Sequence, residues 1–433
     1  VAFTPGANTL NLEVVEGTIT WNEETGTSKT MVVSNGYIAN NAAQINFTLP
    51  ATAAIGSIVA VVGKGAGIYR VSQNAGQTIH TPSGDTETGI TGYIAADEQY
   101  TSMEFVCITA NTDWKVRNEV GGFTVGTYPV WTQQTSSFGT THIKAVVHTG
   151  STWAVGGYGS TGINSKVATA SDPTSTWTLN TVDTSVTRYI LSITTNGSVW
   201  ALGGLLSGGV PAGGQIATTT NPASSWTKNE DNPFTGGTEY DVYEVYYANS
   251  LWIAVGKNGI LATATDPTST WTARTSSFST TAIKSVFYDG STNWVAVGLE
   301  GKMATATDPT GTWTQRTSSF GTTGIYAVHY ANSIWVAVGG SDSVATATDP
   351  TGTWTQRTVT GWGSDGIYSV WYGNSEWKIC GINGKIFTAA DPTGAWSSDI
   401  SNFDTTTIEG IAYDGSTNWV AVAQSGKLAT LTP

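Results

Sequence analysis

The phrase ATDPTGTWTQRT occupies residues 306–317 and returns unchanged at 347–358. Looser copies begin at Ser171 (SDPTSTWTLNT), Thr220 (TNPASSWTKNE), Thr265 (TDPTSTWTART) and Ala390 (ADPTGAWSSDI). Their tryptophans, Trp177, Trp226, Trp271, Trp313, Trp354 and Trp396, recur at intervals of roughly 42 residues, the length of a four-stranded propeller blade. A second series, Trp153, Trp200, Trp252, Trp294, Trp335, Trp377 and Trp419, has one member more. Within one period, 325–330, 334–338, 344–348 and 354–358 alternate apolar and polar residues, and Gly, Asn-Ser or Asp-Pro punctuates them. Each repeat therefore reads as four short strands.

The two ends of the repeat region are complementary. The final copy stops after Lys427-Leu-Ala-Thr430, before its fourth strand. Far upstream, WTQQTSSF from Trp131 matches the fourth-strand sequence WTQRTSSF from Trp313 but has no first three strands before it. Pairing residues 130–137 with the last repeat closes a ring of seven blades and leaves no open sheet edge there.

Composition agrees with an all-β chain. Of 433 residues, 51 are Gly and 18 are Trp, while only 11% are charged, against a usual quarter. So many aromatics and so little charge exclude disorder, and the low content of helix-forming residues excludes a bundle. A net charge of −13 argues against nucleic acid or anionic lipid as partners. The longest apolar run, 58–62, is strand-sized, so no membrane insertion is expected. The chain opens on Val1, which suggests a processed form or a fragment. Cys107 and Cys380 lie too far apart in sequence to suggest a disulfide framework or zinc site, and are expected to be small buried hydrophobes.

Residues 18–125 lack the repeat. Strand-like runs at 18–22, 29–34, 44–49, 57–63, 68–72, 102–109 and 113–117 predict a small β-sandwich or jelly roll. Residues 1–17 are expected to be a linker or assembly segment, and 127–433 the propeller. Gly63-Lys-Gly-Ala-Gly67 lacks the GKS or GKT ending of a phosphate loop and precedes a strand, so a β-turn is expected.

Two resemblances bear on function. The phrase LPATAAIG from Leu49, followed by VAVVGKGAGIYRVSQNAGQTIH to His80, resembles a module of bacteriophage tail-fibre and other virion-associated proteins. The Asp-Pro-Thr-Gly-Thr-Trp element resembles the Asp-box of bacterial neuraminidase repeats, although Gly stands one position later and Pro follows the Asp. Its counterparts here are Asp172, Asn221, Asp266, Asp308, Asp349 and Asp391. Each is expected to shape a turn by accepting backbone N–H groups rather than to bind calcium or sugar.

Neuraminidase chemistry would imply three arginines gripping a carboxylate. The chain has six, Arg70, Arg117, Arg188, Arg274, Arg316 and Arg357, and the last three share one place in the outer strand of successive repeats. No histidine spacing suits a metal, and no cofactor motif is present, so no metal, cofactor or enzymatic activity is expected. Variable loops on a repeated scaffold are natural places for recognition. Those at 158–165, 205–214, 230–241 and 359–366 depart furthest from the repeat, and make Tyr158, Phe234, Tyr240, Trp362 and Asp365 candidate ligand-binding residues. An aromatic such as Trp362 in a Gly-rich loop suits stacking on a sugar.

The virion resemblance implies an extracellular attachment protein, a tail-fibre or receptor-binding component on the virion surface. It would hold a host glycan or protein, join other virion subunits through 1–125, and form a homo-oligomer, a trimer by analogy. A bacterial adhesin or filament subunit and a carbohydrate-active enzyme are the alternatives.

Overall fold

A computed structural model describes residues 19–158, 165–182, 189–206, 213–234 and 241–432. The segment 1–17 thus lies outside the described residues, as do Arg188 and Tyr240. The chain divides into two compact units, 1–129 and 130–433. Among the described residues the helical elements are single 3-10 turns such as Lys257–Gly259, and no helix is long and apolar enough to cross a membrane.

The first unit contains a seven-stranded and a five-stranded sheet. Alternating residues of both sheets, among them Tyr37, Phe47, Val59, Tyr69, Ile94, Phe105 and Trp114, share one buried core. Sequence patterning misses the strands Asn35–Ala39, Thr78–Thr81, Gly92–Ala96 and Phe123–Thr127. The first follows a left-handed Ser34 and contains Gly36, a combination that reads locally as a turn. A Cβ at Gly36 would meet the half-exposed Trp21 ring at 2.6 Å, so a larger residue would have to displace that ring. Cys107 packs in this core, while Cys380 is buried in the second unit, and both are free.

The second unit is a seven-bladed β-propeller, each blade a four-stranded antiparallel sheet. Blade 5 is representative: Ile325–Ala331, Ile334–Gly339, Val344–Ala347 and Thr355–Arg357 run from the inside outward. Its first hairpin turns on Asn332 and Ser333, both at positive φ, the two-residue turn whose twist matches that of paired strands. The sheet formed by Ile408–Tyr413, Trp419–Ala423 and Leu428–Leu431 takes its outer strand from Thr132–Gln134, in the register Thr132↔Thr430, Gln133↔Ala429 and Gln134↔Leu428.

The second tryptophan series is buried at the start of the second strand of each blade. The Asp-Pro-Thr elements shape the turn before the outer strand. Asp308 Oδ1 accepts from the Thr310 N–H (2.8 Å) and hydroxyl (2.7 Å), and Trp313 Nε1 donates to the Pro309 carbonyl (3.2 Å). Asp172, Asp266, Asp349 and Asp391 accept the same pair of bonds, and these hold every one of the five carboxyls below the usual range. Asn221 Oδ1 accepts the backbone N–H of Ala223 alone.

Candidate functional site

One irregularity repeats in the innermost strand of every blade. The pairing with the second strand skips one residue, between Ile143 and Ala145 in blade 1 and at the equivalent place in the other six. An extra residue in one strand of an antiparallel pair leaves the ladder and re-aims its side chain. The skipped residues are Lys144, Leu191, Tyr243 and Lys284 in blades 1 to 4, then Tyr326, Tyr368 and Glu409. All seven line a central cavity of about 740 Å3.

The backbone needed for this is built by glycine. The residue opposite the last regular pair is Gly157, Gly204, Gly256, Gly298, Gly339 or Gly381 in the first six blades, and Ala423 in the seventh. At Gly157, Gly256, Gly298, Gly339 and Gly381 a Cβ would lie 1.9–2.2 Å from a carbonyl oxygen of the innermost strand or the residue just before it. That close approach admits little else.

The bulges fall near the start of the innermost strand, beside the end of the second. The cavity thus opens where the loops between blades and those between second and third strands emerge. Tyr158, Leu299 and Gln424, from the ends of second strands or the turns that follow, complete this rim.

Around the ring, six of the seven bulge residues form neighbour pairs. Glu409 of blade 7 meets Lys144 of blade 1 in an ion pair and also accepts from Gln424 Nε2 (2.8 Å). Lys284 Nζ lies 3.3 Å from the centroid of the Tyr243 ring. Tyr326 and Tyr368 pack edge to face at 5.4 Å. Leu191 has no such partner. Burial lowers the Lys284 ammonium to about 8, helped by Lys144 and Lys257 and opposed by Asp241.

Two further residues of the wall are shifted by burial. Glu244 Oε2 accepts the Val286 N–H (2.7 Å), yet burial raises its carboxyl to about 7. His329 is enclosed by the Phe287 and Trp371 rings, with centroids at 4.3 and 4.7 Å, and burial depresses it to about 3.

The residues singled out from loop composition are only partly brought to this cavity. Tyr158 lines it, edge-on to Tyr189 at 4.6 Å. Trp362 does not offer a stacking face: its ring is fully buried, packs against Phe387, and donates through Nε1 to the Asp365 carbonyl (3.0 Å). Phe234 is likewise fully buried, in the core between blades 2 and 3. Both occupy the place of Phe138, Phe278, Phe320 and Phe403, so that six interblade loops insert an aromatic plug into the core. The Asp365 carboxylate is taken by Lys385 Nζ (2.6 Å) and Asn383 Nδ2 (3.0 Å), which hold it below the usual range. Tyr240 lies outside the described residues.

Loop composition does not reveal the bulge ring, although the sequence carries a signal for it. Each innermost strand contains Ile-x-x-Val or a close variant: Ile143/Val146, Ile190/Ile193, Val242/Val245, Ile283/Val286, Ile325/Val328, Ile367/Val370 and Ile408/Ile411. A spacing of three within a strand, where two is the rule, marks the added residue. Among the described residues no group of three or more His, Cys, Asp or Glu side chains could hold a metal ion. Arg274, Arg316 and Arg357 donate to Thr263, Thr305 and Thr346 in their own blades, far from a convergent arginine triad.

No protein-family model matches the chain, and no curated protein matches it in sequence. Solved structures match the fold. YCF48 bound to D1 peptide is 16% identical with a TM-score of 0.54, over 71% of this chain and 97% of that one. The WD40 β-propeller domain of Doa1 is 9% identical with a TM-score of 0.55, over 70% and 97%. A catalytically inactive virginiamycin B lyase from Staphylococcus aureus, with quinupristin, is 9% identical with a TM-score of 0.58, over 70% and 99%. The chain is thus similar in fold to propellers of diverse function, and what they share with it is the seven-bladed scaffold.

Proposed function

We propose that the protein is a non-enzymatic attachment protein, a tail-fibre or receptor-binding component of a phage-like particle, which holds a host-surface glycan at the mouth of the propeller channel. The observation that carries the reading is the bulge ring. Seven equivalent backbone positions carry Lys, Leu, Tyr, Lys, Tyr, Tyr and Glu, so the scaffold repeats while the side chains facing the cavity do not. A mixed set of side chains on one concave, partly apolar surface is what recognition requires.

Two further features support binding over catalysis. Glu409 is engaged by Lys144 and Gln424, and Glu244 by the Val286 N–H, so neither stands free as a paired acid and base. The virion context rests on the phrase at 49–80, and with it the roles of the first unit as a β-sandwich joining other subunits and of a homo-oligomeric assembly. We also read the pairing of Thr132–Gln134 with Leu428–Leu431 as the closure of the ring. A Thr132→Cys/Thr430→Cys pair should then cross-link within one chain under oxidation and raise Tm.

Binding of the labelled full chain to whole bacterial cells and to a glycan array tests the reading. Saturable binding that periodate treatment of the cells abolishes supports a glycan receptor. Binding lost to protease treatment instead would assign a protein receptor, in keeping with the D1 peptide that YCF48 binds. Turnover of a bound glycan would replace attachment with catalysis.

A further inference from the structure

Among the described residues, one cation of the bulge ring has no carboxylate partner. Lys144 is neutralised by Glu409, whereas among the described residues no carboxylate lies within ion-pair distance of Lys284. Its ammonium is half-buried on the cavity wall and rests on the Tyr243 ring. Asp241 acts on it from farther away and is hydrogen-bonded to Tyr243. A desolvated ammonium facing a cavity is a costly arrangement unless an anion completes it.

The rest of the wall restricts what that anion can be. Tyr326 and Tyr368 line the cavity as an edge-to-face pair, and Ser369 stands next to the bulge residue of its blade. Aromatic rings for C–H groups and hydroxyls for hydroxyls, on the same wall as one cation, suit a sugar ring. The cavity volume, about 740 Å3, lies within the roughly 300–1,000 Å3 of small-molecule sites. It is sized for one or two rings rather than for an extended chain.

We propose that the channel binds the carboxylate of an acidic sugar residue, a hexuronate or a related sugar acid, on Lys284 Nζ, with the ring seated against Tyr243, Tyr326 and Tyr368. The monoanion would replace the water lost from the ammonium and leave the Lys144–Glu409 pair intact. This deepens the attachment reading, from which it takes only the glycan nature of the ligand.

Calorimetric titration of the full chain with glucuronate and galacturonate, beside glucose and a glutamyl tripeptide, tests it. The uronates should bind, glucose and the tripeptide at least tenfold more weakly, and Lys284→Met should weaken uronate binding at least tenfold. Lys284→Arg should retain it. Reductive 13C-methylation gives a readout in the unaltered sequence, because the Lys284 methyl resonance should move, and its pKa rise, when uronate binds. Absence of uronate binding, equal binding by Lys284→Met, or preference for the tripeptide would overturn the proposal. Cell binding is scored separately. Uronate binding without cell attachment would sink the attachment reading alone, and attachment that uronate neither competes nor reports on Lys284 would sink this inference alone.

Discussion

Trp131 Nε1 donates a 3.0 Å hydrogen bond to Asp399 Oδ2, joining side chains 268 positions apart. Of the six other outer-strand tryptophans, Trp177, Trp271, Trp313 and Trp354 donate to the proline carbonyl of their own turn, and Trp226 and Trp396 do not. Trp131 has no such turn before it and uses a carboxylate of the preceding blade instead. The same Asp399 oxygen accepts from Lys378 Nζ at 3.0 Å, and that lysine is fully buried.

Removing the carboxylate strands the Trp131 indole N–H and leaves the buried Lys378 ammonium with only Thr388 Oγ1 (2.5 Å) and the more exposed Glu376 (3.4 Å). Asp399→Ala is expected to cost about 3–5 kcal/mol, the range for breaking a buried ion pair on one side. Trp131→Phe, which removes only the indole donor, should cost about 1 kcal/mol. Urea unfolding followed by tryptophan fluorescence measures both, and similar losses would refute the shared role of Asp399.

Trp362 acts as a plug, so its substitutions should report on stability alone. Trp362→Phe restores the residue type of the equivalent positions and should cost about 1–2 kcal/mol, whereas Trp362→Ala should cost about 3–5 kcal/mol. Neither should alter ligand affinity in the folded protein. A selective loss of binding in Trp362→Phe at unchanged Tm would return this residue to the recognition surface.

His329 makes stability fall in acid. Its folded pKa of about 3 lies below the unfolded value near 6.5, so the unfolded chain takes up the proton first. The stability due to the neutral ring is present above about 6.5 and is lost as pH falls toward 3, at up to about 1.4 kcal/mol per pH unit. His329→Phe should flatten that part of the profile. Parallel profiles for the two proteins between pH 6 and 4 would contradict the enclosure of the ring.

Glu244 works in the opposite direction. Its folded pKa of about 7 exceeds the unfolded value, so its contribution is complete below about 4.5 and is lost as pH rises through 7. Glu244→Gln does not titrate and should gain on the parent between pH 5 and 8, by about 1 kcal/mol once partial solvent access is allowed for. Thermal melts across that range decide it, and a gap that narrows with pH would show the carboxylate to be solvated.

The seven blades are legible in the sequence because tryptophans and Asp-Pro turns recur in phase, and because repeats must bury their faces on one another. The site is less legible. The Gly-rich neighbours of Trp362 suggest an open loop, whereas its place in the repeat, where it stands for a phenylalanine, marks it as a plug. Lys144, Lys284 and Glu409 attract no notice because a lysine or glutamate inside a strand looks like an ordinary solvent-facing residue. Only the triple spacing from Ile283 to Val286 and its counterparts distinguishes them, and one added residue in a strand of six or seven is a weak departure from alternation. Position in the register, rather than composition, carries the missing information.

A residue outside the ladder owes little to its neighbours' packing. The paired Ile and Val on either side of each bulge build the blade, while the side chain between them can be exchanged with small effect on folding. Lys144, Leu191, Tyr243, Lys284, Tyr326, Tyr368 and Glu409 therefore form a set that mutation can rewrite with little disturbance of the blades, provided that the Lys144–Glu409 pair changes together. A lineage could change what the channel accepts in single steps, each keeping a foldable protein. The same seven codons would be an economical library for directed retargeting.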